Sequence, residues 1–488
     1  MKKIIAYFFI LLSGFLSSQC TEKLEETPKS LISPENFYKT DGDFNQAING
    51  ALRSVWSYHD RATQYIMTAG GDDLGCKADA PQAKIYDAFL ATPTDQYSRN
   101  TWTIYYQCIN ICNPIINNIS AATAVSENSK KEIEGQARFL RAFSYYMLTR
   151  FFGEIPIILT REDQLNASNI GQSSVADVYT VITNDLNIAK EFLPLSFPQI
   201  GKPTKGAAKS LLASVYLTMA GWPLNDASKY ALARDEAKGV MDLAKYTLEP
   251  NYIDLWVVAK AKVSKEIIFA LWGNSVGNGS GRHMATRPGE EGGYQSYFSE
   301  ARFFNVFPAG PRKDGTFHTV FTDAAHTTWQ NSRIGQPFIL KYRDAGDAAT
   351  MFGPVLIIAN GSGNWVSIRY AEVLLIYAEA ANMAENGPST AATDAINLVR
   401  RRAGGNNQAV YADLPYGLSK TDFDDAVFKE RAWEHACEGI RWFDLVRKEK
   451  VVSANIDLYP HVDSHHMLIP KPQTEIDIIT GLTQNPGY

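Results

Sequence analysis

Residues 368–405 read IRYAEVLLIYAEAANMAENGPSTAATDAINLVRRRAGG. Two segments with helical apolar spacing are interrupted here by Gly387-Pro388, a pair that breaks a helix. Two helices joined by so short a break form an αα-hairpin. The unit is about 35 residues long, as in a tetratricopeptide repeat, although the strict signature residues of that repeat are absent. The stretch therefore predicts an architecture of paired helices.

Further helices are predicted from apolar spacing and end signals. Ser129 and Glu132 are spaced as a capping box before an apolar stripe that Gly153 ends. Ser174 begins the next stripe and Pro194 ends it. The predicted helices outside the hairpin cover residues 34–57, 100–120, 129–153, 174–194, 206–221 and 422–450.

The sequence changes character between residues 251 and 365, where glycine and aromatic residues become frequent and helical periodicity fades. The runs EIIFALW (266–272) and PVLII (354–358) predict short strands, and the residues after the first run predict a long loop. Loops on a rigid scaffold often carry binding groups. We therefore predict a mostly α fold, in which tetratricopeptide-like helix pairs at 34–250 and 366–488 support a loop-rich, ligand-facing region at 251–365 with a few short strands.

The first residues have the pattern of an exported lipoprotein. Lys2 and Lys3 precede the apolar run IIAYFFILLSGFL, which at about 1.5 Å per residue is too short to cross a hydrocarbon core of about 30 Å. Cys20 follows as in a bacterial lipobox, although Gln19 departs from the usual Gly or Ala. We predict a signal peptide at 1–19 and a lipidated tether at 20–33, with an ordinary signal peptide as the alternative.

Composition narrows the function. The formal net charge of −5 argues against a nucleic-acid partner. The 24 Tyr, 24 Phe and 9 Trp residues are enough both for a core and for a stacking surface. Cys108 and Cys112 lie one helical turn apart in an apolar stretch, which favours buried free thiols over a disulfide or a metal pair.

An ordered set of segments resembles the SusD/RagB outer-membrane nutrient-binding lipoproteins of Bacteroidetes. The resemblance runs almost from end to end, and the order of the segments is more specific than any one of them. The segments are LEETPKSLISPENFYKTDGDFNQAINGAL (24–52), ARFLRAFSYYMLTRFFGEIPII (137–158), GKPTKGAAKSLLASVYLTMAG (201–221), IRYAEVLLIYAEAAN (368–382), INLVRRRAGG (396–405), ERAWEHACEGIRWFDLVR (430–447) and LIPKPQTEIDIITGLTQNPGY (468–488).

The resemblance implies a SusD-like domain at 34–488, in which four tetratricopeptide-like helix pairs cradle an irregular ligand-bearing region. It implies a non-catalytic protein, anchored in the outer membrane by lipid on Cys20 and exposed at the cell surface. Its partners would be a SusC-like TonB-dependent transporter and an oligosaccharide, or a peptide as in the RagB branch. No cofactor is implied, and the sequence does not decide whether a structural Ca²⁺ binds.

Some carboxylates and histidines suggest two other functions, glycoside hydrolysis and metal binding. Asp72-Asp73 and Glu290-Glu291 are adjacent pairs, whereas glycoside hydrolysis needs two carboxyls held about 5 to 10 Å apart. A surface glycoside hydrolase is therefore the less favoured alternative. His461, His465 and His466 have spacing that could bind Zn²⁺ or Ni²⁺, but their polar loop favours a solvated cluster.

Acidic residues in the last predicted helix favour a structural role. Glu430, Glu434 and Glu438 follow one helix face, and arginines share the same segment. This pattern predicts an ion-pair network that locks the C-terminal helices rather than a catalytic site.

Candidate sugar-binding residues follow from the chemistry of a pyranose, whose C–H face stacks on aromatic rings and whose hydroxyls bind polar side chains. Two segments, 72–102 and 272–329, offer both. Trp102 is interpreted as core, and Trp272 as either core or platform. The predicted ligand residues are Asp72, Asp73, Tyr86, Gln96, Tyr97, Asn100, Trp272, Arg282, Tyr294, Tyr297, Arg312 and Trp329.

The sequence therefore predicts a surface lipoprotein that captures glycan without cleaving it. Capture of peptide would instead require main-chain hydrogen bonds and apolar pockets. A purely structural lid for the transporter is a third hypothesis, in which the barrel alone recognises the ligand.

Overall fold

Long α-helices that follow one another along the chain form a scaffold. The computed structural model describes residues 37–59, 63–77, 81–273, 281–344 and 363–488. We label the scaffold helices α1 Asp41–His59, α2 Gln96–Asn118, α3 Glu127–Phe152, α4 Val175–Phe192, α5 Lys205–Met219, α6 Lys229–Met241, α7 Tyr370–Ala384, α8 Thr390–Ala403, α9 Lys420–Glu434 and α10 Arg441–Arg447. Shorter α-helices cover Thr63–Met67, Pro81–Asp87, Arg161–Leu165, Val258–Ala261, Arg282–Ala285, Ala301–Val306, Pro311–Thr316, Val451–Asn455 and Gln473–Ile478.

Neighbouring helices in the chain are neighbours in space. Each of α1 to α7 packs on the next helix, and α7 packs on both α8 and α9. The predicted hairpin is confirmed, because α7 ends at Ala384 and α8 begins at Thr390. Such sequential antiparallel packing is the arrangement of tetratricopeptide-like helix pairs. The mostly α prediction is therefore confirmed.

The capping residues of the central helices agree with the prediction at two positions and differ at one. The helix α3 begins earlier than predicted, because Ser126 and not Ser129 is its N-cap, and the Ser126 hydroxyl accepts a hydrogen bond from the Ser129 amide at 3.2 Å. Gly153 ends α3 as predicted, with a φ of +71° that glycine adopts without strain. Ser174 caps α4 as predicted.

The predicted helix at 422–450 is instead two helices. The helix α9 ends at Glu434, and α10 begins at Arg441. Between them, Cys437 and Gly439 have φ values of +59° and +77°, which no right-handed helix accommodates. The chain therefore turns at a point where the residue pattern alone indicated a continuous helix.

Short strands lie in the loop-rich region and at its borders, and one, β1, lies between α1 and α2. They are β1 Gly75–Cys76, β2 Ile267–Trp272, β3 Tyr297–Phe298, β4 Phe317–His318, β5 Phe338–Ile339 and β6 Asn364–Arg369. They form the antiparallel pairs β1–β3, β2–β6 and β4–β5. The strand predicted from EIIFALW is confirmed as β2, whereas the one predicted from PVLII lies outside the described residues.

Residues Lys39–Tyr488 form one compact unit. The predicted signal peptide, the tether and the start of the domain at residue 34 lie outside the described residues. Within the described part of the chain, no helix is both long and apolar enough to span a bilayer.

The core of the scaffold is centred on α3. Its aromatic side chains are buried on several faces, and Arg141 of α3 binds Asp185 of α4 through Nε at 2.7 Å. Arg141 also donates to Asn113 of α2 at 2.9 Å, so one buried guanidinium joins three helices. Trp102 is buried as predicted, and Cys108 and Cys112 are buried free thiols as predicted.

A buried ionic cluster joins the loop-rich region to the C-terminal helices. We call it the Glu434 cluster. Glu434 of α9 accepts a hydrogen bond from Arg312 at 2.9 Å and also contacts Arg369 and Arg402. The cluster consists of the carboxylates Glu266, Glu430, Glu434 and Glu438 and the cations Arg312, Lys341, Arg369 and Arg402. The predicted ion-pair network is therefore confirmed, and it extends well beyond the helix that suggested it.

The Glu434 cluster fixes the position of the irregular region. Arg312 and Lys341 come from that region, whereas Arg402 and Glu434 come from α8 and α9. Taking these charges out of water is costly, so they are stable only as a complete set. Loss of one member leaves its partners buried and uncompensated.

We predict that Glu434→Gln lowers the free energy of unfolding by about 3–5 kcal/mol, because it removes the carboxylate shared by three buried arginines. Urea unfolding followed by circular dichroism measures this loss. The control is Glu385→Gln, which removes an exposed ion pair with Arg234 and should cost no more than about 1 kcal/mol. Equal losses in the two variants would contradict the importance of the cluster.

A second buried ion pair makes stability depend on pH. Burial raises the pKa of Glu379 on α7, but the charges of Arg447, at 2.8 Å, and Lys448, at 2.9 Å, outweigh burial and lower that pKa from 4.5 to about 2. The folded protein thus holds this proton less tightly than the unfolded chain does. The contribution to stability is complete above pH 4.5 and is lost as the pH falls through about 2.

We predict that the free energy of unfolding falls between pH 4.5 and about 2, with up to about 3 kcal/mol of the loss arising from Glu379. Urea titrations across this range measure the slope. Glu379→Gln should be less stable at neutral pH and should show a shallower slope in acid, whereas Glu385→Gln should keep the original slope. An unchanged slope in Glu379→Gln would exclude the assignment.

Candidate functional site

The acidic pair predicted to bind ligand is structural. Asp72 forms two hydrogen bonds with Arg441, at 2.6 and 3.0 Å. Asp73 is 3% exposed and accepts a hydrogen bond from the Cys437 amide at 2.7 Å. Burial, with the neighbouring Asp72 charge, raises the pKa of Asp73 to about 7. The pair attaches its loop to the turn between α9 and α10, so both carboxylates already have partners in this conformation and their ligand role stays a prediction.

Four other predicted ligand residues are buried. Arg312 belongs to the Glu434 cluster, and Arg282 donates a hydrogen bond to the His59 carbonyl at 2.7 Å. Tyr297 lies in β3 with its ring 5.5 Å from that of Tyr65, and Tyr86 is 4% exposed. A ligand cannot reach these side chains in this conformation, so the structure gives no support to the predicted ligand role of these four residues. Core packing and ligand stacking use the same residue types, which is why the sequence did not separate them.

The remaining predicted residues divide into two groups. Gln96, Tyr97 and Asn100 lie in the first turns of α2, with Gln96 exposed and the other two partly buried. Tyr294 is 57% exposed, and Trp329 is half-buried with its ring 5.6 Å from that of Phe304. None of these five lines the cleft that contains Trp272. Their ligand role stays a prediction.

Trp272 stands at the edge of the largest of the described clefts. This opening of about 640 Å³ lies between α1, the loop 199–202 and the end of β2. We call it the Trp272 cleft; it is lined by Asn45, Asn49, Leu52, Arg53, Trp56, Gln199, Ile200, Gly201, Lys202, Leu271 and Trp272. Trp272 is half-buried and lines the cleft, so part of its side chain is accessible there, and its role as a platform stays a prediction.

One face of α1 provides the polar wall of the Trp272 cleft. Asn45, Asn49 and Arg53 recur at intervals of four residues and so lie on one side of the helix. The opposite face packs into the core through residues such as Phe44 and Ile48. Asn49 and Arg53 are exposed, so amide and guanidinium groups face the opening.

The loop 199–202 closes the other side of the cleft. Lys202 donates a hydrogen bond from Nζ to Asn45 Oδ1 at 3.2 Å, which connects the loop to α1. Gly201 has a φ of +90°, and a Cβ at this position would lie 3.3 Å from Trp272 Cδ1. The backbone therefore lies directly against the indole edge, which a larger residue would displace. Trp56 lies beneath the opening and is 4% exposed.

A second, smaller cleft of about 180 Å³ extends the site. It shares Trp272 and the loop 199–202 with the Trp272 cleft and adds the side chains of Phe197, Lys245 and Tyr246. A chain-like ligand could therefore contact the Trp272 indole from either side of the loop. Aromatic rings beside amide and ammonium donors are the combination that pyranose binding requires.

Sequence reasoning missed the polar residues of this site. Asn45, Asn49 and Arg53 were recognisable as a polar stripe beside Trp56 on a predicted helix. Gln199 and Lys202 lie in a loop far from α1 in the chain, and only the fold brings them to it.

The histidine cluster is largely structural. His461 and His466 form hydrogen bonds with the backbone carbonyls of Ala88 at 2.8 Å and Phe89 at 3.1 Å. His466 Nδ1 also accepts from the Asp463 amide, so both ring nitrogens are engaged. Potential ligand atoms of Asp463, His465 and His466 lie within 4.8 Å of one another. Because His466 is buried, the predicted solvated cluster is wrong for that residue.

Comparisons with known proteins agree with this architecture. Residues 357–488 match the SusD family, and residues 24–217 match a family described as starch-binding associating with outer membrane. A SusD-like protein P2 of Formosa agariphila is 30% identical over 525 aligned positions, covering 100% of both chains.

Solved structures share the fold. A SusD homolog from Bacteroides thetaiotaomicron superimposes with a TM-score of 0.81 at 24% identity, covering 93% of this chain and 98% of that one. A protein described as surface glycan-binding protein A, from Bacteroides uniformis, gives a TM-score of 0.74 at 22% identity. The match covers 91% of this chain and 99% of that one. With a full-length relative at 30% identity and this fold, the chain belongs to the SusD-like family.

Proposed function

We propose that this protein is a non-catalytic surface lipoprotein that captures oligosaccharide in the Trp272 cleft and delivers it to a SusC-like TonB-dependent transporter. The observation that carries the proposal is the half-buried indole of Trp272, which lines an open cleft with polar walls. The description of one matching family as starch-binding and the glycan-binding description of a structural neighbour support a sugar as the ligand.

The Trp272 cleft suits a sugar chain better than a compact apolar ligand. Its opening is wide, and its polar side chains come from two separate elements, α1 and the loop 199–202. A glycan placed there would stack a C–H face on Trp272 while Asn49 and Arg53 bind hydroxyls. Each sugar unit of an oligosaccharide offers a similar C–H face for stacking on Trp272. We therefore expect the cleft to bind internal segments of an oligosaccharide as well as its ends.

Hydrolysis is less well supported, because the acidic pairs that suggested it are engaged elsewhere. Glu291 is buried, accepts hydrogen bonds from His318 at 2.7 Å and the Thr322 amide at 2.6 Å, and pairs with Arg343. Burial raises its pKa, but the His318 hydrogen bond and the Arg343 charge outweigh burial and lower the pKa to about 2. A general acid in glycoside hydrolysis needs a raised pKa instead. Asp73 has a raised pKa, but its carboxylate is buried and accepts a hydrogen bond from the Cys437 amide.

Delivery to a transporter would explain why the protein binds its ligand without modifying it. Ligand held between this protein and the barrel would favour the closed arrangement of the two, a population shift driven by differential affinity. Energy for import would come from the transporter system. Peptide capture, as in the RagB branch, is the alternative, and titration with both oligosaccharides and peptides distinguishes it from glycan capture.

We predict that Trp272→Ala weakens oligosaccharide binding about tenfold or more, because it removes the stacking surface. Calorimetric titration of the purified protein with a panel of neutral oligosaccharides, including starch fragments, and with peptides measures this change. Trp433→Ala, at a half-buried tryptophan next to Tyr411, is the matched control and should bind as the unaltered protein does.

Four other outcomes of this titration would change the proposal. If Trp329→Ala or Tyr97→Ala weakens binding while Trp272→Ala does not, the ligand surface lies at the other predicted residues. Binding of peptides alone would replace the glycan with the alternative ligand. If no ligand gives a binding signal, the structural-lid hypothesis is favoured. Release of sugar products would establish hydrolysis.

We predict that Cys20→Ser prevents acylation and releases the protein from the outer membrane, because a multiply acylated cysteine is the proposed anchor. Incorporation of a labelled fatty acid and fractionation of the cells measure the two effects. Ser18→Ala, which keeps a small residue before the cysteine, should leave both unchanged. Retention of Cys20→Ser in the outer membrane would contradict the lipid anchor.

A further inference from the structure

A second cavity lies on another part of the scaffold. It has a volume of about 370 Å³ and lies where the end of α3, the start of α4, the end of α5 and α10 meet the C-terminal residues 483–486. It shares no lining residue with the Trp272 cleft. Tyr179, Trp222 and Phe443 contribute aromatic rings to its wall, and the exposed Glu154 and Pro223 mark its connection to solvent.

Arg150 lines this cavity without a carboxylate partner. Its guanidinium carbon lies 3.7 Å from the ring centroids of both Tyr146 and Phe443, so the group is held between two rings. It donates to the Tyr146 carbonyl at 3.3 Å and to Met147 Sδ at 2.7 Å. Among the described residues, no carboxylate forms an ion pair with Arg150.

Lys471 lines the same cavity and is 1% exposed. Its ammonium group donates to Gln172 Oε1 at 2.7 Å and to the Thr483 carbonyl at 2.9 Å, both neutral acceptors. No carboxylate of the described chain lies within ion-pair distance of it. Burial lowers its pKa to about 8, and Glu154 opposes that shift only in part.

This arrangement differs from that of several other buried cations, which have carboxylate partners. Arg312, Lys341 and Arg369 are paired with carboxylates, and Arg447, which also lines the cavity, is paired with Glu379 and Asp444. A buried cation without a counter-ion is costly unless a ligand provides one. The carboxylate of Glu154 is already a hydrogen-bond acceptor for Gln172 at 2.7 Å and is exposed.

We propose that this cavity binds a uronic acid, with the sugar ring against the aromatic wall and its carboxylate between Arg150 and Lys471. Guanidinium and ammonium groups form strong charge-assisted hydrogen bonds with a carboxylate. Aromatic rings accept the C–H face of a pyranose. The volume is near the lower end for ligand pockets, which suits one or two sugar units. The site is independent of the Trp272 cleft and would add selectivity for acidic glycans.

The test is calorimetric titration of the purified full chain with methyl β-D-glucuronide and, as the neutral analogue, methyl β-D-glucoside. We expect the glucuronide to bind at least about tenfold more tightly than the glucoside. Lys471→Met should weaken the glucuronide about tenfold or more, whereas Lys260→Met, at an exposed lysine, should leave it unchanged. Trp272→Ala should also leave it unchanged, which separates this proposal from the neutral-glycan site.

If Lys471→Met does not fold, the pH dependence of glucuronide binding by the unaltered protein provides a second test. Glucuronide affinity should fall as the pH rises above about 8, since Lys471 then loses its proton. The other charged groups that line the cavity are Arg150, Arg447 and Glu154. Affinity that is constant through this range overturns the proposal. Equal binding of the glucoside, no binding of the glucuronide at millimolar concentration, or full affinity in a folded Lys471→Met protein overturns it as well.

Discussion

The structure depends on buried charge compensation in the Glu434 cluster. Four carboxylates and four cations from the loop-rich region, from α8 and α9 and from the borders of β2 and β6 meet where water is excluded. Hydrophobic contacts tolerate small displacements, but buried charges require their partners at hydrogen-bond distance. The cluster therefore determines where an otherwise irregular region attaches to the helical scaffold.

The same constraint reaches the proposed site through β2. Glu266 belongs to the cluster and directly precedes the strand, whose last residue is Trp272. Six residues of strand at about 3.3 Å each place the indole roughly 20 Å from the cluster. Pairing of Trp272 with Asn364 of β6 and contact with Gly201 then fix the end of the strand. The proposed ligand platform, although it borders a loop-rich region, is therefore held in place by the scaffold.

The two cavities illustrate different uses of polar groups. In the Trp272 cleft, Asn49 and Arg53 are exposed on a helix whose other face is buried. In the second cavity, Lys471 is buried against neutral partners and Arg150 is enclosed by rings. The first arrangement favours neutral hydroxyls in open solvent, and the second favours an anion that completes the charge balance.

Periodicity, caps and charge spacing act over one or two helical turns, so they predicted the helix pair α7–α8, the ends of α4, strand β2 and the ion-pair role of Glu430, Glu434 and Glu438. The sequence by itself did not distinguish the half-buried Trp272 from the buried Tyr297, or the ion-paired Asp72 from the exposed Asn49. Whether an aromatic ring is packed or exposed, and whether a charge is already paired, depends on contacts between distant segments. The turn at Gly439 was likewise decided by tertiary structure, because α10 must return to bind Asp72 and Glu379.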